Sequence, residues 1–165
     1  MELLTTSRLE LRPMISQDIP ELLDMFHEPN AFEYIKPLRD QTEANYIAFL
    51  KLKLEQIDSK TGYYWVVRNL RKELVGAINL TPIPSTGEMQ IGWMIRTKFR
   101  GQGFAFEAAQ IAMSFCLEET DIDPVYGVFE EKNIASQKIL KRLGFQPFTE
   151  SMEGEKTVFK YRFKR

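Results

Sequence analysis

The chain has 165 residues, 44% hydrophobic and 27% charged, with 22 Lys+Arg against 23 Asp+Glu for a formal net charge of −1. A near-zero balance leaves out the broad electropositive face that duplex nucleic acid requires, so no nucleic-acid partner is expected. One cysteine, Cys116, and one histidine, His27, exclude an internal disulfide and a Cys/His zinc cluster, so no metal is expected either.

The length fits one domain, 1–165, with neither an internal repeat nor a low-complexity run. The start, Met1 to Thr6, lacks the basic flank and long apolar stretch of a signal peptide, and no apolar run reaches membrane-spanning length. A cytoplasmic protein without a membrane partner is expected.

Arg8-Leu9-Glu10-Leu11-Arg12 alternates apolar and charged residues before Pro13, which predicts a short half-buried strand at the edge of a sheet. Ser16 is placed to cap a first helix whose apolar positions are Ile19, Leu22, Leu23 and Phe26, with Pro20 tolerated in the first turns. Asp40 and Glu43 form a capping-box pattern ahead of Tyr46, Ile47, Leu50 and Leu54, predicting a second helix over 41–57. The β-branched and aromatic runs 63–68 and 74–80 predict a hairpin. Met89 to Ile95 predicts a further strand, in which Gly92 suggests a bulge. From Gly103, the positions of Ala105, Ala108, Ala109, Ala112, Phe115 and Cys116 predict a helix, followed by a strand over 124–129. This strand-helix-strand unit is long enough for a parallel crossover. A helix over 134–143 ended by Gly144, then strands around 146–152 and 158–163 with Gly154 between them, complete an α/β chain with a mixed sheet.

Two stretches carry chemistry. Arg100-Gly101-Gln102-Gly103-Phe104-Ala105 lies where a strand gives way to a helix; glycines there let the backbone approach an anion, and the free N–H groups of the helix start favour negative charge. A loop that needs glycine only to turn would look the same. The stretch lacks the Gly-Lys-Ser/Thr ending of a P-loop and is one glycine short of the dinucleotide fingerprint, which weakens kinase, GTPase and dehydrogenase readings. The second stretch, Asn133 to Phe145, sets Asn133 and Ser136 near a helix N-terminus above a buried stripe of Ile139, Leu140 and Leu143. Either polar residue could cap the helix, or both could project beside the strand end and serve a carbonyl or a thiol.

Together the two stretches resemble the motifs of the GNAT superfamily of N-acetyltransferases. Its phosphate-loop pattern Arg/Gln-x-x-Gly-x-Gly/Ala is similar to Lys98-Phe99-Arg100-Gly101-Gln102-Gly103, with Lys98 in place of Arg or Gln, and its Asn-x-x-Ser…Leu…Gly-Phe pattern is similar to the second stretch. Ser7 to Pro13, Ile91 to Ile95 and Gly103 to Ala108 resemble the ribosomal-protein N-terminal acetyltransferase branch, so the likeness spans nearly the whole chain.

The resemblance implies a central, mostly antiparallel sheet with a splayed parallel strand pair and flanking helices. It implies acetyl-CoA as co-substrate, no metal, and a monomer or homodimer. Pantetheine would meet Met94, Ile95 and Arg96, the pyrophosphate would rest on Arg100, Gly101, Gln102, Gly103, Phe104 and Ala105, and Asn133 would face the pantetheine arm. An amine would attack the thioester directly, with a backbone N–H near Gly92 to Met94 polarising the carbonyl. Glu88 is the candidate base and Ser136 the candidate partner of the leaving thiolate, with Tyr126 as its competitor; Glu107 is assigned to stabilising its helix. The segment Phe32 to Pro37, including Glu33 and Tyr34, is where relatives build part of the acceptor wall. The acceptor would be a protein N-terminus, with a small amine such as a polyamine or antibiotic, or a non-catalytic acyl-CoA-binding role, as alternatives.

Overall fold

The structure, a computed structural model, describes residues 3–165. The elements run β1 (Leu4–Thr5), β2 (Leu9–Pro13), α1 (Ile19–Phe26), α2 (Glu43–Asp58), β3 (Tyr63–Asn69), β4 (Leu74–Pro82), β5 (Met89–Ile95), α3 (Phe104–Glu119), β6 (Val125–Glu130), α4 (Ile134–Arg142), β7 (Gln146–Glu153) and β8 (Lys156–Phe163). They build one eight-stranded sheet in the order β1-β2-β3-β4-β5-β6-β8-β7. Every described neighbouring pair is antiparallel except β5–β6, which α3 connects as a crossover.

Helices cover both faces of the sheet, and that is why β3 and β4 read as nearly unbroken apolar runs instead of alternating ones. Trp65, Val67, Ile78, Leu80, Ile91 and Ile95 pack toward α3, whose Ala108, Ala109 and Ala112 are fully buried and let the helix lie close to the strands. On the opposite face Tyr64, Val66 and Ala77 meet Leu22, Met25 and Phe26 of α1 and Tyr46 and Leu50 of α2. Gly144 ends α4 as expected: at φ 92° its N–H reaches Lys141 O at 3.1 Å and the Phe145 N–H reaches Leu140 O at 3.0 Å, with Phe145 and Leu140 both buried.

Four local expectations are corrected. The opening strand β2 is not the edge, because the short β1 pairs on its outer side. Ser16 does not cap α1: its hydroxyl bonds Gln17, and the turn is held by Asp18, which accepts the Ile15 N–H at 2.8 Å and two Arg12 bonds at 2.6 and 2.9 Å. Thr42, not Asp40, caps α2 by accepting the Asn45 N–H at 3.2 Å, since the cap must directly precede the first helical residue; Asp40 sits in the preceding turn at φ 56°. Gly92 makes no bulge, because the β4–β5 register runs through it without a shift, and the shift in this part of the sheet falls between Val67 and Arg68.

Candidate active site

The β5 and β6 strands pair at one register position, Gln90 opposite Tyr126. Beyond it, β5 stays paired to β4 as far as Ile95 and β6 stays paired to β8 as far as Glu130, but no pairing is described between the two inner strands. The sheet therefore opens at its centre toward the C-terminal ends of both strands.

Antiparallel alternation decides which backbone groups face the opening. The Arg96 N–H donates to Val75 O at 2.9 Å, and these residues stand opposite one another in the β4–β5 register. Every second residue back along β5 repeats that orientation, so Met94 and Gly92 turn their peptide groups to β4, and Trp93 and Ile95 turn theirs to the gap. Of the three residues expected along pantetheine, Ile95 thus presents its backbone to the opening, while Met94 and the Arg96 N–H face β4 and the Arg96 carbonyl accepts the Phe99 N–H at 2.9 Å. The Arg96 guanidinium is bound to Glu28 at 2.6 Å. Trp93 was not singled out from sequence; the parity of the strand would have found it once its paired side was known. The Ile95 carbonyl accepts from Arg100 Nε at 3.1 Å, which closes the end of the strand.

After a 3₁₀ turn at Thr97–Phe99, the chain passes through Gly101 at φ 75° and Gly103 at φ 83° into α3. A Cβ at Gly101 would meet nothing within 4 Å, so glycine is needed there for the left-handed backbone and not for space. Among the described residues the N–H groups of Gly101, Gln102 and Gly103 have no protein acceptor. Helix geometry leaves those of Phe104, Ala105 and Phe106 without intrahelical partners as well. With the dipole of a 16-residue helix behind them, these groups form a cradle that fits a phosphate. Nearby cationic side chains are already engaged: Lys98 pairs with Glu73 at 2.8 Å and Arg100 holds Ile95 O. The Gln102 amide bonds Lys98 O at 3.1 Å. Arg100 has no acidic partner among the described residues, so its charge adds to the attraction that the backbone N–H groups exert on an anion.

α4 rests on β6 through Leu140, on the same face as α3. Asn133 Oδ1 accepts the Ser136 N–H at 3.1 Å, so Asn133 is the helix cap, and the half-buried Ser136 hydroxyl has no protein partner among the described residues. Tyr126 alternates with Val125 and Gly127 and points to the opposite, α1/α2 face. There Glu88 forms an ion pair with Lys160, whose ammonium lies 4.0 Å from the centroid of the Tyr126 ring. The Lys160 hydrogen bond, aided by Thr86 and Tyr126, holds the Glu88 carboxyl below the usual glutamate range.

The segment carrying Glu33 and Tyr34 meets the far end of β6. Arg39 donates to Phe32 O at 3.2 Å, to Glu33 O, and to Glu130 at 3.2 Å; Glu130 in turn pairs with Lys156 at 2.6 Å. Glu130 is only 8% exposed. Burial pushes its pKa up, but the bonds and charges of Lys156 and Arg39 prevail and keep it ionised below the usual range. Burial and the charges of Glu33 and Glu130 raise the pKa of the Tyr34 phenol. Glu130 escaped the sequence reading because it looks like the last residue of a strand and its partner is remote. Glu107 is bound by Thr6 and Arg8, away from the gap; exposed His27 lies near Glu43, and Cys116 is buried. Among the described residues no group of three His, Cys, Asp or Glu is placed to hold a metal, and no helix is long and apolar enough to cross a membrane.

A sheet split between two parallel strands, with a glycine cradle and helix start at the end of one of them, defines a coenzyme-A-dependent acyltransferase. Residues 8–146 match the acetyltransferase (GNAT) domain family, and the chain belongs to that family: it is an N-acetyltransferase that uses acetyl-CoA. It is 28% identical over 151 residues to the ribosomal protein uS5-alanine N-acetyltransferase of Escherichia coli (strain K12), covering 87% of this chain and 77% of that one. A ribosomal L7/L12 alpha-N-protein acetyltransferase in complex with coenzyme A superposes with a TM-score of 0.85 at 17% identity, covering 99% of this chain and 98% of that one. A spermidine N-acetyltransferase from Vibrio cholerae superposes with a TM-score of 0.80 at 17% identity, covering 96% of each chain.

Proposed function

We propose that the acceptor is the α-amine of a protein N-terminus, acetylated by direct attack on the thioester with no acyl-enzyme. Pantetheine lies in the β5–β6 gap against the Trp93 and Ile95 backbone, and the pyrophosphate lies on the N–H groups of residues 101–106. The amine nitrogen bonds to the acetyl carbon, the carbonyl oxygen takes the developing charge near the Trp93 N–H, and the C–S bond breaks to release the CoA thiolate. The proton leaving the amine passes to Glu88, directly or through water, while the Ser136 hydroxyl hydrogen-bonds the departing sulfur. The assignment suits the geometry, since Glu88 and α4 stand on opposite faces of the opening.

The observation that carries the acceptor class is the pairing of Glu88 with Lys160, which makes Glu88 a weak base. At pH 7 freeing a lysine amine costs about 4.6 kcal/mol, against about 1 kcal/mol for an α-amine, and the α-amine makes the smaller demand on a carboxylate already engaged by Lys160. The likeness to a ribosomal-protein alanine acetyltransferase points the same way.

Thiol release from acetyl-CoA tests this, using peptides with free N-termini, N-blocked lysine peptides and polyamines, with wild type beside Glu88→Gln. Turnover is expected on the N-terminal peptides, with kcat/KM falling about 10²-fold in the variant. Turnover confined to polyamines would replace the acceptor, and CoA binding without turnover on any amine would indicate an acyl-CoA-binding module.

A further inference from the structure

The cradle can offer its N–H groups outward only if its carbonyls are held elsewhere. A trans peptide sets C=O and N–H on opposite sides, so whatever captures the carbonyl of one residue aims the N–H of the next away from itself. Arg8 does this. Its Nη1 donates to Gln102 O at 3.1 Å, and the N–H of Gly103, in the same peptide unit, has no protein acceptor among the described residues. The guanidinium is itself immobilised: Nε and Nη2 bind Glu107 Oε2 at 2.7 and 2.5 Å, and its carbon sits 4.5 Å from the centroid of the Phe104 ring. The Thr6 hydroxyl donates to the other Glu107 oxygen and accepts the Leu9 N–H at 2.9 Å, tying the assembly to the start of β2. Because Glu107 neutralises the guanidinium, little long-range attraction for an anion is left to Arg8, and its contribution is geometric.

We propose that Arg8 is a positioning residue for the co-substrate: held by Glu107, it clamps the Gln102 carbonyl and so presents the Gly103 N–H to the CoA pyrophosphate without touching CoA itself. The proposal rests on the assignment of this loop to the pyrophosphate. It accounts for why an N-terminal Thr-x-Arg segment, remote from the gap, carries a fully bonded Arg–Glu pair against the cradle.

Steady-state kinetics of wild type, Arg8→Met and Arg8→Lys with two acetyl donors test it: acetyl-CoA, and S-acetylpantetheine, which has no pyrophosphate. Arg8→Met is expected to raise KM for acetyl-CoA about tenfold, the net worth of one hydrogen bond to a charged group, with kcat within about twofold and kcat/KM for S-acetylpantetheine unchanged. Arg8→Lys is expected not to rescue, since a point ammonium cannot bind Glu107 and Gln102 O as a planar fork does. Should Arg8→Met fold poorly by circular dichroism, Glu107→Gln, which loosens the hold on Arg8, is expected to show the same donor-selective loss. Equal losses on both donors, or none on acetyl-CoA, overturn the proposal. If wild type itself uses both donors equally well, the loop does not bind pyrophosphate, and the underlying assignment falls together with the role of Arg8.

Discussion

Lys53 is 7% exposed on the inward stripe of α2 that also carries Tyr46 and Leu50. Its ammonium meets Gln56 Oε1 at 3.1 Å and the Phe49 ring at 5.0 Å, and no salt bridge to it is described. Burial pushes its pKa down to about 8. Between that value and about 10.4 the unfolded chain binds more protons than the folded one, so stability rises with pH across this window, and at neutral pH the charged form is a net cost. Lys53→Met is expected to stabilise the protein by about 2 kcal/mol at pH 7, with the gap from wild type shrinking as pH approaches 10, read by urea denaturation at both values. Periodicity could place Lys53 on the inner face, but its missing counter-charge is a matter of what packs around α2. The same distinction applies to Glu88: its position ahead of β5 was legible in sequence, and its reduced basicity was not, because Lys160 lies 72 residues away.

At the scale of elements, α4 depends on a glycine in its neighbouring strand. A Cβ on Gly127 would come within 2.3 Å of Leu140 Cδ2 and 2.7 Å of Cδ1, and Leu140, at 1% exposure, has nowhere to swing. Gly127→Ala is expected to cost about 1–3 kcal/mol by thermal or chemical denaturation and to lower kcat/KM, because pushing α4 off β6 displaces Asn133 and Ser136 together. The helices and the longer strands are legible from hydrophobic period and turn chemistry, and the Gly144 cap with them, since these signals act within a few residues; the two-residue β1 is too short to carry a period. The misplaced details were caps and pairings. Asp40 and Thr42 are both good cap residues two positions apart, and only the backbone conformation, with Asp40 at φ 56°, decides between them.

At the scale of the whole molecule, the Arg39–Glu130–Lys156 cluster joins the segment between α1 and α2 to the end of β6 and the start of β8. This cluster sits at the open end of the gap on the face assigned to the acceptor. Arg39→Met leaves Glu130 its Lys156 partner, so folding is expected to survive. The segment carrying Glu33 and Tyr34 loses its tie to β6. The expected result is an acceptor KM raised roughly fivefold with KM for acetyl-CoA unchanged, measured by varying each substrate against saturating levels of the other.

The mixed α/β class, the order of elements from β2 onward, the glycine turn ahead of α3 and the Asn133/Ser136 helix start are legible in the sequence, because backbone conformation, capping and period are encoded locally. The tertiary structure decided which β5 residues face the gap, since strand parity acquires meaning only when the partner on one side is known. It also decided the state of the charged groups: Arg8 with Glu107, Arg39 with Glu130 and Glu88 with Lys160 are 99, 91 and 72 residues apart, and an ion pair across such distances exists only where the folded sheet brings its ends together.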